Sequence, residues 1–445
     1  MFEGVCSMKR KKIGKRICSI LLAATMFSST ALLASGCASS DSSSKSAKRT
    51  SSAPGKLSGS ITVCGWNQAA SALKANAKQF MTENPGTTVT VQTVDSDYTK
   101  LYSELAANSG VPDVVTIQNR DVKNFVNKYP DAWLDLTDMM KPEESNFSNY
   151  VRGLAMVDNK YYAVPWDLGP CALYYRKDIF KEAGVDPSTI KTYDDYIAAG
   201  KKIVTKTGGK TKLIGFDYSG STSTDMPAVF FSQLGGQYYN KNGKVQLNSD
   251  AMVKAVDLCK KMINAGVAVN LPNEWNDRIS AATNDQIASI PYAVWYAGTL
   301  QAISDQKGKW GIMPLPAFTA GGNTQANEGG SALAISSQTK NAELAKAFVK
   351  FALMSSEGNK INFETSKLFT SYQKSYKDPE YTATDDYFGI SIGSTFAKLS
   401  TNIPTVDFGP HFTDVNNALK TGIGNALLKK QDTKAVLKEA SDTAQ

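Results

Sequence analysis

Hydrophobic positions along the chain change period several times, and each change marks an element. In Ser60–Cys64 the apolar residues Ile61 and Val63 alternate with Ser60 and Thr62, the period of a strand. From Gln68 to Asn84 the spacing widens so that Leu73, Ala77, Phe80 and Met81 share one helical face. A second strand (Thr87–Val94), a helix carrying Leu101, Leu105 and Ala106, and the apolar strand Val114–Ile117 follow. This alternation of strand and helix predicts a mostly parallel sheet flanked by helices, and such sheets hold ligands beyond the carboxyl ends of their strands. The turns to watch are therefore Gly65–Asn67, Asp95–Tyr98 and Gln118–Arg120. Farther on, Ala172–Gly184 reads as a strand passing into a short helix that stops at glycine. Asn341–Met354 reads as a helix whose Ala345, Phe348, Val349, Ala352 and Leu353 form an apolar stripe. The stretch from Leu57 to Gln445 exceeds one ordinary core and predicts two compact units.

The first residues follow another logic. Lys9, Arg10, Lys11, Lys12, Lys15 and Arg16 precede an apolar run from Ile17 to Leu33, and Leu33-Ala34-Ser35-Gly36-Cys37 ends it. Order and length match a secretory signal. Ser19, Thr25, Ser28, Ser29 and Thr30 make the run a poor permanent membrane span. Leu33–Cys37 resembles the lipobox of bacterial lipoproteins, which implies a signal peptide over 1–36 and a lipidated Cys37 that moors the chain to the membrane from outside the cytoplasm. Residues 37–57 are rich in Ser, Lys and Ala without a large apolar residue until Leu57, and predict a flexible tether reaching at most about 60 Å.

Removing that segment alters the charge. The formal +8 becomes +3 once residues 1–36, with six Lys/Arg and one Glu, are set aside. A near-neutral remainder without a basic stripe argues against a nucleic-acid partner. Cys64, Cys171 and Cys259 remain beyond Cys37, with no Cys-x-x-Cys spacing and apolar neighbours, and read as small buried packing residues. His411 is the single histidine, so a Ser-His-Asp triad or a histidine-rich metal site could be built only around it. Its flanks, Gly409-Pro410 and Phe412, suit a packed or loop position. Thr207–Thr211 lacks the earlier glycine of a phosphate loop and reads as a helix exit and turn. No enzyme activity, cofactor or metal is expected.

Several segments in order, Pro112–Ile117, Tyr162–Pro165, Tyr174–Gly184 with Lys191–Tyr196, Trp310–Pro316 and Gly329–Phe351, resemble the family 1 extracellular solute-binding proteins. These are the maltose-binding-protein-like, carbohydrate-binding subunits of ATP-driven (ABC) importers. The resemblance implies an α/β, two-lobed, periplasmic-binding-protein-like fold, hinged, each lobe a mostly parallel sheet flanked by helices. It implies crossings near Asp167–Pro170, Met313 and Ser366, giving an N-terminal lobe of 58–168 with 314–366 and a C-terminal lobe of 169–313 with 367–445. The implied partners are a carbohydrate ligand and a membrane permease, the chain acting as a monomer.

A sugar offers hydroxyl edges and an apolar face, so its site needs amides and carboxylates for one and aromatic rings for the other. Trp66, Trp166 and Trp295 stand beside polar residues, the setting of half-wet clefts. Trp133 and Trp310 have apolar neighbours and are assigned to packing, whereas Trp275 fits either role. By the same likeness the ligand-binding candidates are Trp66, Asn67, Gln118, Asn119, Arg120, Trp166, Asp167, Trp295, Tyr296, Glu328, Gly329 and Gly330, with Asp225 added from a Ser/Thr-rich loop where a helix cap is an equal reading. Two alternatives stay open. A lipid-anchored glycoside hydrolase would need two facing carboxyls, such as Glu274 with Asp277 or Asp167 with Glu328. A binding protein for an anion, polyamine or iron complex is the other.

Overall fold

Ile61 and Val63 sink into the core from β1 (Gly59–Gly65), and the chain returns through α1 (Asn67–Glu83) to lay β2 (Thr87–Thr93) beside it. The structure, a computed structural model, describes residues 56–221 and 224–445. The export segment, Cys37 and the tether up to Gly55 lie outside those residues. After α2 (Thr99–Ala106) the chain forms β3 (Val114–Gln118), and β1 pairs parallel with both β2 and β3. α1 buries Leu73, Ala77 and Phe80, while Met81 sits half-buried at the edge of that face.

The chain then runs through β4 (Val164–Pro165), β5 (Asp167–Leu168) and β6 (Cys171–Arg176). α3 (Tyr193–Lys206) opens with a capping box in which Thr192 and Asp195 satisfy each other's backbone N–H groups. β7 (Ile214–Phe216), α4 (Asp225–Gln233), β8 (Ala268–Asn270), α5 (Glu274–Thr283), β9 (Ser289–Ala293), α6 (Tyr296–Gln301) and β10 (Trp310–Met313) follow. β11 (Ser331–Ile335), α7 (Ala342–Met354), α8 (Ser356–Ser366) and β12 (Phe369–Thr370) come next, ahead of a mostly helical C-terminal part. The apolar stripe of α7 is wholly buried. Among the described helices none is long and apolar enough to cross a membrane.

Two sheets result. The first has the order β2-β1-β3-β11-β4, with β11 antiparallel to β3 and β4. The second centres on β6, antiparallel to β9 and β10. β7 pairs parallel with β8, and the residues entering β7 run parallel to those entering β9, through Lys212 and Ile287. In each sheet one strand opposes the rest, and the cause is topological. β6 and β11 carry the chain away from the crossing region, whereas their neighbours run towards it.

Three segments lie side by side at the crossing. β5 pairs antiparallel with β12, and Pro170 bridges Asn327. The Glu328 N–H donates to the Gly169 carbonyl at 2.9 Å. The segments approach so closely that a Cβ at Gly169 would fall 1.7 Å from the Glu328 carbonyl oxygen. Gly330 has φ 89°, and a Cβ there would fall 2.6 Å from the Asp167 carbonyl oxygen. Only glycine fits either position. After β10 the Ala317 N–H still donates to Lys191 and the Pro316 carbonyl accepts from the Gln233 side chain. The chain thus meets Gly169 at Glu328, well past Met313. Cys64, Cys171 and Cys259 are all free and buried.

Candidate functional site

A cavity of about 580 Å³ opens beyond the ends of β1, β3 and β9, with the crossing segments along its base. Its size suits a small-molecule ligand.

From the first sheet, Trp66 follows β1 in extended conformation and Asn67 turns the chain into α1 with φ 44°. The Trp66 ring meets Tyr98 edge-on at 5.6 Å, and the Tyr98 hydroxyl accepts the Gln118 N–H at 2.7 Å, so one tyrosine braces both turns. Gln118 and Arg120 line the cavity from the end of β3. Asn119 turns inward instead. Its side-chain amide donates to the Asp167 carbonyl at 3.0 Å and its backbone N–H to the Gly330 carbonyl at 3.0 Å, tying the first sheet to the crossing.

From the second sheet, Trp275 and Trp295 face each other at 5.9 Å with 31° between their planes. Tyr292 stands edge-on to Trp295 at 5.0 Å, and its hydroxyl donates to the Asp225 carboxylate. The indole N–H of Trp295 donates to the Glu328 carbonyl at 3.1 Å, which fixes the ring against the crossing. Behind this wall Arg278 pairs with Glu274 on α5.

The crossing contributes carboxyls. Glu328 lies 3.5 Å from Arg120. Burial and the neighbouring Asp225 push its pKa up to about 8, against the pull of Arg120. Asp167 is also pushed up, to about 6, by burial; the Ser331 N–H (2.7 Å) and hydroxyl donate to its Oδ1 and oppose that shift. Arg120 stays charged because Asp121, Glu328 and Asp225 outweigh the burial that disfavours its cation.

The cavity therefore brings together Trp66, Asn67, Gln118, Arg120, Asp167, Asp225, Trp295, Glu328, Gly329 and Gly330 from the sequence-derived set. Three candidates stand back from it. Asn119 braces the crossing as described. Trp166 is 1% exposed within the core, and Tyr296 is fully buried behind Trp275 and Trp295. Gln68, Tyr292 and Asn276 reach the cavity without having been singled out, Ser96 reaches it from the Asp95–Tyr98 turn, and Trp275 joins them from its open status. The signal for Gln68 was its place in the first turn beyond β1.

Members of both carboxyl pairs nominated for glycoside hydrolysis are engaged by other protein groups. Glu274 is paired with Arg278, Asp277 accepts the Asn273 N–H at its helix start, and Asp167 is bound by Ser331. The cavity offers rings, amides, three carboxyls and one guanidinium.

Comparisons with known proteins agree. Residues 65–358 match the family of bacterial extracellular solute-binding proteins. The chain is 30% identical over 373 residues to the arabinooligosaccharide-binding protein of Bacillus subtilis, spanning 80% of this chain and 84% of that one. It is 28% identical over 406 residues to the lactose-binding protein of Rhizobium radiobacter, spanning 87% and 93%. A solved ABC-transporter-associated binding protein from B. animalis subsp. lactis, in complex with beta-1,6-galactobiose, superposes with a TM-score of 0.74 at 24% identity over 87% of this chain and 96% of that one. With its two-lobed fold and a family match that runs from β1 into α8, the chain belongs to the bacterial extracellular solute-binding proteins.

Proposed function

We propose that the protein captures a mono- or oligosaccharide between its two lobes and delivers it unchanged to the permease of an ABC importer. As a member of its family it works outside the cytoplasm and is a transport component, not an enzyme. The observation that carries the sugar reading is the cavity itself, where Trp66 on one side opposes Trp275 and Trp295 on the other, with Arg120, Asp225 and Glu328 between them. Indole faces suit the C–H face of a pyranose or furanose, and the amides and carboxylates suit its hydroxyls. The names of the curated relatives support the same class.

The lobes in this reading are 58–168 with 331–366 and 169–325 with 367–445, divided later than the 313/314 boundary expected from the resemblance. The return crossing is taken at Ala326–Gly330, later than Met313, on the strength of the bonds that Pro316 and Ala317 keep with Gln233 and Lys191. A ligand touching both lobes favours their closed arrangement by its better fit there. The site set comprises the ten candidates that line the cavity, and Cys37 carries the lipid that retains the monomer at the membrane.

Tryptophan fluorescence and calorimetry against a panel of mono- and oligosaccharides test the proposal. Saturable binding of a sugar, with no new reducing ends after incubation, is expected. Silence across the panel with a response to an amino acid or an anion overturns it. Cys37→Ala should shift the protein from the membrane to the soluble fraction.

A further inference from the structure

The charged side chains that line the central cavity do not balance. Asp167, Asp225 and Glu328 face it, and Arg120 is the only cation among its lining residues. The next charges back leave the surplus in place. Glu274 and Arg278 pair with each other, and Asp121 stands beside Arg120 as a further carboxyl. Five carboxyls thus meet two guanidiniums around one site, in a chain that carries +3 beyond its export segment. The surplus is opposite in sign to the whole, so it belongs to the site and not to a generally acidic surface.

Glu328 shows the imbalance most clearly. Its side chain is 9% exposed, its nearest cation is Arg120 at 3.5 Å, and among the described residues no group donates a hydrogen bond to its carboxyl. Arg120 is shared as well, its guanidinium lying 5.5 Å from the centroid of the Phe412 ring. Asp225 and Asp167 differ, since the Tyr292 hydroxyl donates to the first and Ser331 holds the second. A buried carboxyl without a hydrogen bond is costly, and a like charge nearby adds to that cost. The upward push on the Glu328 pKa, to about 8, is the same imbalance seen from the proton's side. Tyr150, Tyr238, Tyr292 and Cys171 also face Glu328, but burial raises each of them, so they stay neutral and supply no cation.

A neutral sugar meets these carboxyls with hydroxyl donors but leaves the charge surplus in place as the lobes close around it. An ammonium group supplies both N–H donors and the missing charge. Trp275 and Trp295 line the same cavity, and indole faces attract cations. We infer that the preferred guest is a basic amino sugar, a saccharide whose free ammonium group sits between Glu328 and Asp225. The inference rests on the sugar-binding reading above and specifies its substrate class.

The experiment is calorimetry at about pH 6.5, where an amine of the α-amino type holds its proton, with two matched sets. One is galactose, galactosamine and N-acetylgalactosamine; the other is lactose, lactosamine and N-acetyllactosamine. Acetylation keeps the nitrogen and removes its charge. In the unaltered protein the free amine of one set should bind about tenfold more tightly than both of its neutral partners, the margin of a charge-assisted over a neutral hydrogen bond. Asp225→Asn should bring that ratio near one while leaving the Tyr292 hydroxyl an acceptor, with Glu328→Gln as the second variant should the first fold poorly. Each variant's own affinity for the neutral sugars is the reference. Amines that bind no better than their neutral partners in the unaltered protein, or a preference that survives in a folded variant, overturn this inference and leave sugar binding standing. The same holds if none of the six binds while another sugar of the panel does. No binding by any of the six or of the wider panel overturns both.

Discussion

Arg278 is completely buried on α5 and pairs with Glu274 one turn earlier, their side chains 1% and 3% exposed. Its guanidinium lies 4.1 Å from the centroid of the Tyr292 ring and 5.8 Å from that of Tyr296. Among the described residues its Nε and Nη1 have no hydrogen-bond partner, so the carboxylate and the ring faces hold the cation. Tyr292 in turn supports Trp295, which makes the pair a foundation for the aromatic wall. Arg278→Met keeps most of the stem and leaves a buried carboxylate without its cation. Unit charges about 4 Å apart attract by about 4 kcal/mol at an effective dielectric of 20, within the 3–5 kcal/mol range for breaking a buried pair. At an unfolding entropy of about 0.8 kcal/mol/K for a chain of this size, the melting temperature should fall by about 5 °C. Sugar affinity should fall with it, because Tyr292 and Trp295 lose their support. Glu274→Gln should also destabilise. The double variant, with both charges gone, should cost less than the two single losses added together, a coupling of about 2–3 kcal/mol. Scanning calorimetry on the four proteins measures this directly. Single variants that each cost under about 1 kcal/mol, or a double variant that costs their sum, would refute the reasoning.

Glu328 titrates at about 8 in the folded protein against 4.5 ordinarily. Between those values the folded chain holds a proton that the unfolded chain has released, so this group's contribution to stability falls as pH rises through the window. Glu328→Gln removes the titration, and the melting temperature of the unaltered protein relative to the variant should drop from about pH 5 to about pH 8.5; a difference flat with pH would count against it. Trp295→Ala should weaken sugar binding about 10- to 100-fold, from about 1.5–3 kcal/mol of lost ring burial, with unchanged far-UV circular dichroism, and calorimetry reads the loss. Burial pushes the Cys64 thiol up to about 11 and those of Cys171 and Cys259 well above the ordinary value. In protein lacking residues 1–37, Ellman's reagent at pH 8 should therefore find no reactive thiol until denaturant is added, and rapid labelling of the native state would show that these side chains are accessible.

Elements with a long, one-sided apolar pattern were legible in the sequence to within a residue or two. α1 was expected from Gln68 to Asn84 and spans Asn67–Glu83, and the stripe of α7 is the face that packs inward. Their periodicity is local, so the sequence alone carries it. β4, β5 and β12 were not legible as strands, being two residues long each. β5 exists because Phe369 and Thr370 lie opposite it, and a pairing across so many intervening residues leaves no periodic trace. The return crossing, expected near Met313 and proposed here at Ala326–Gly330, is hard to place from sequence on the same grounds. Met313 ends a strand visibly, whereas the bonds that hold Pro316 and Ala317 to Gln233 and Lys191 are invisible in a local window.

The site was read as adjacent pairs, and backbone geometry splits such pairs. Successive residues of an extended segment point to opposite sides, so Trp166 and Asp167 cannot both face the cavity. Asp167 does, and Trp166 goes to the core, bound through its own backbone to Ser331 and Ser371. At the start of α6 the choice falls the other way: Trp295 lines the cavity and Tyr296 packs behind it. Polar neighbours mark a segment as close to water, but they do not say which member of a pair turns outward. That choice is made by partners remote in sequence, here Ser331 for Asp167 and the Glu328 carbonyl for the Trp295 indole. Tyr292 makes the converse case. It lies in an apolar strand with no polar neighbour, yet alternation in β9 aims it at Asp225, so a cavity-lining tyrosine carries the sequence signature of a core residue. Strand-end position was the better guide than polarity, since Trp66, Gln118 and Trp295 all follow or close strands that run towards the crossing and all three reach the cavity.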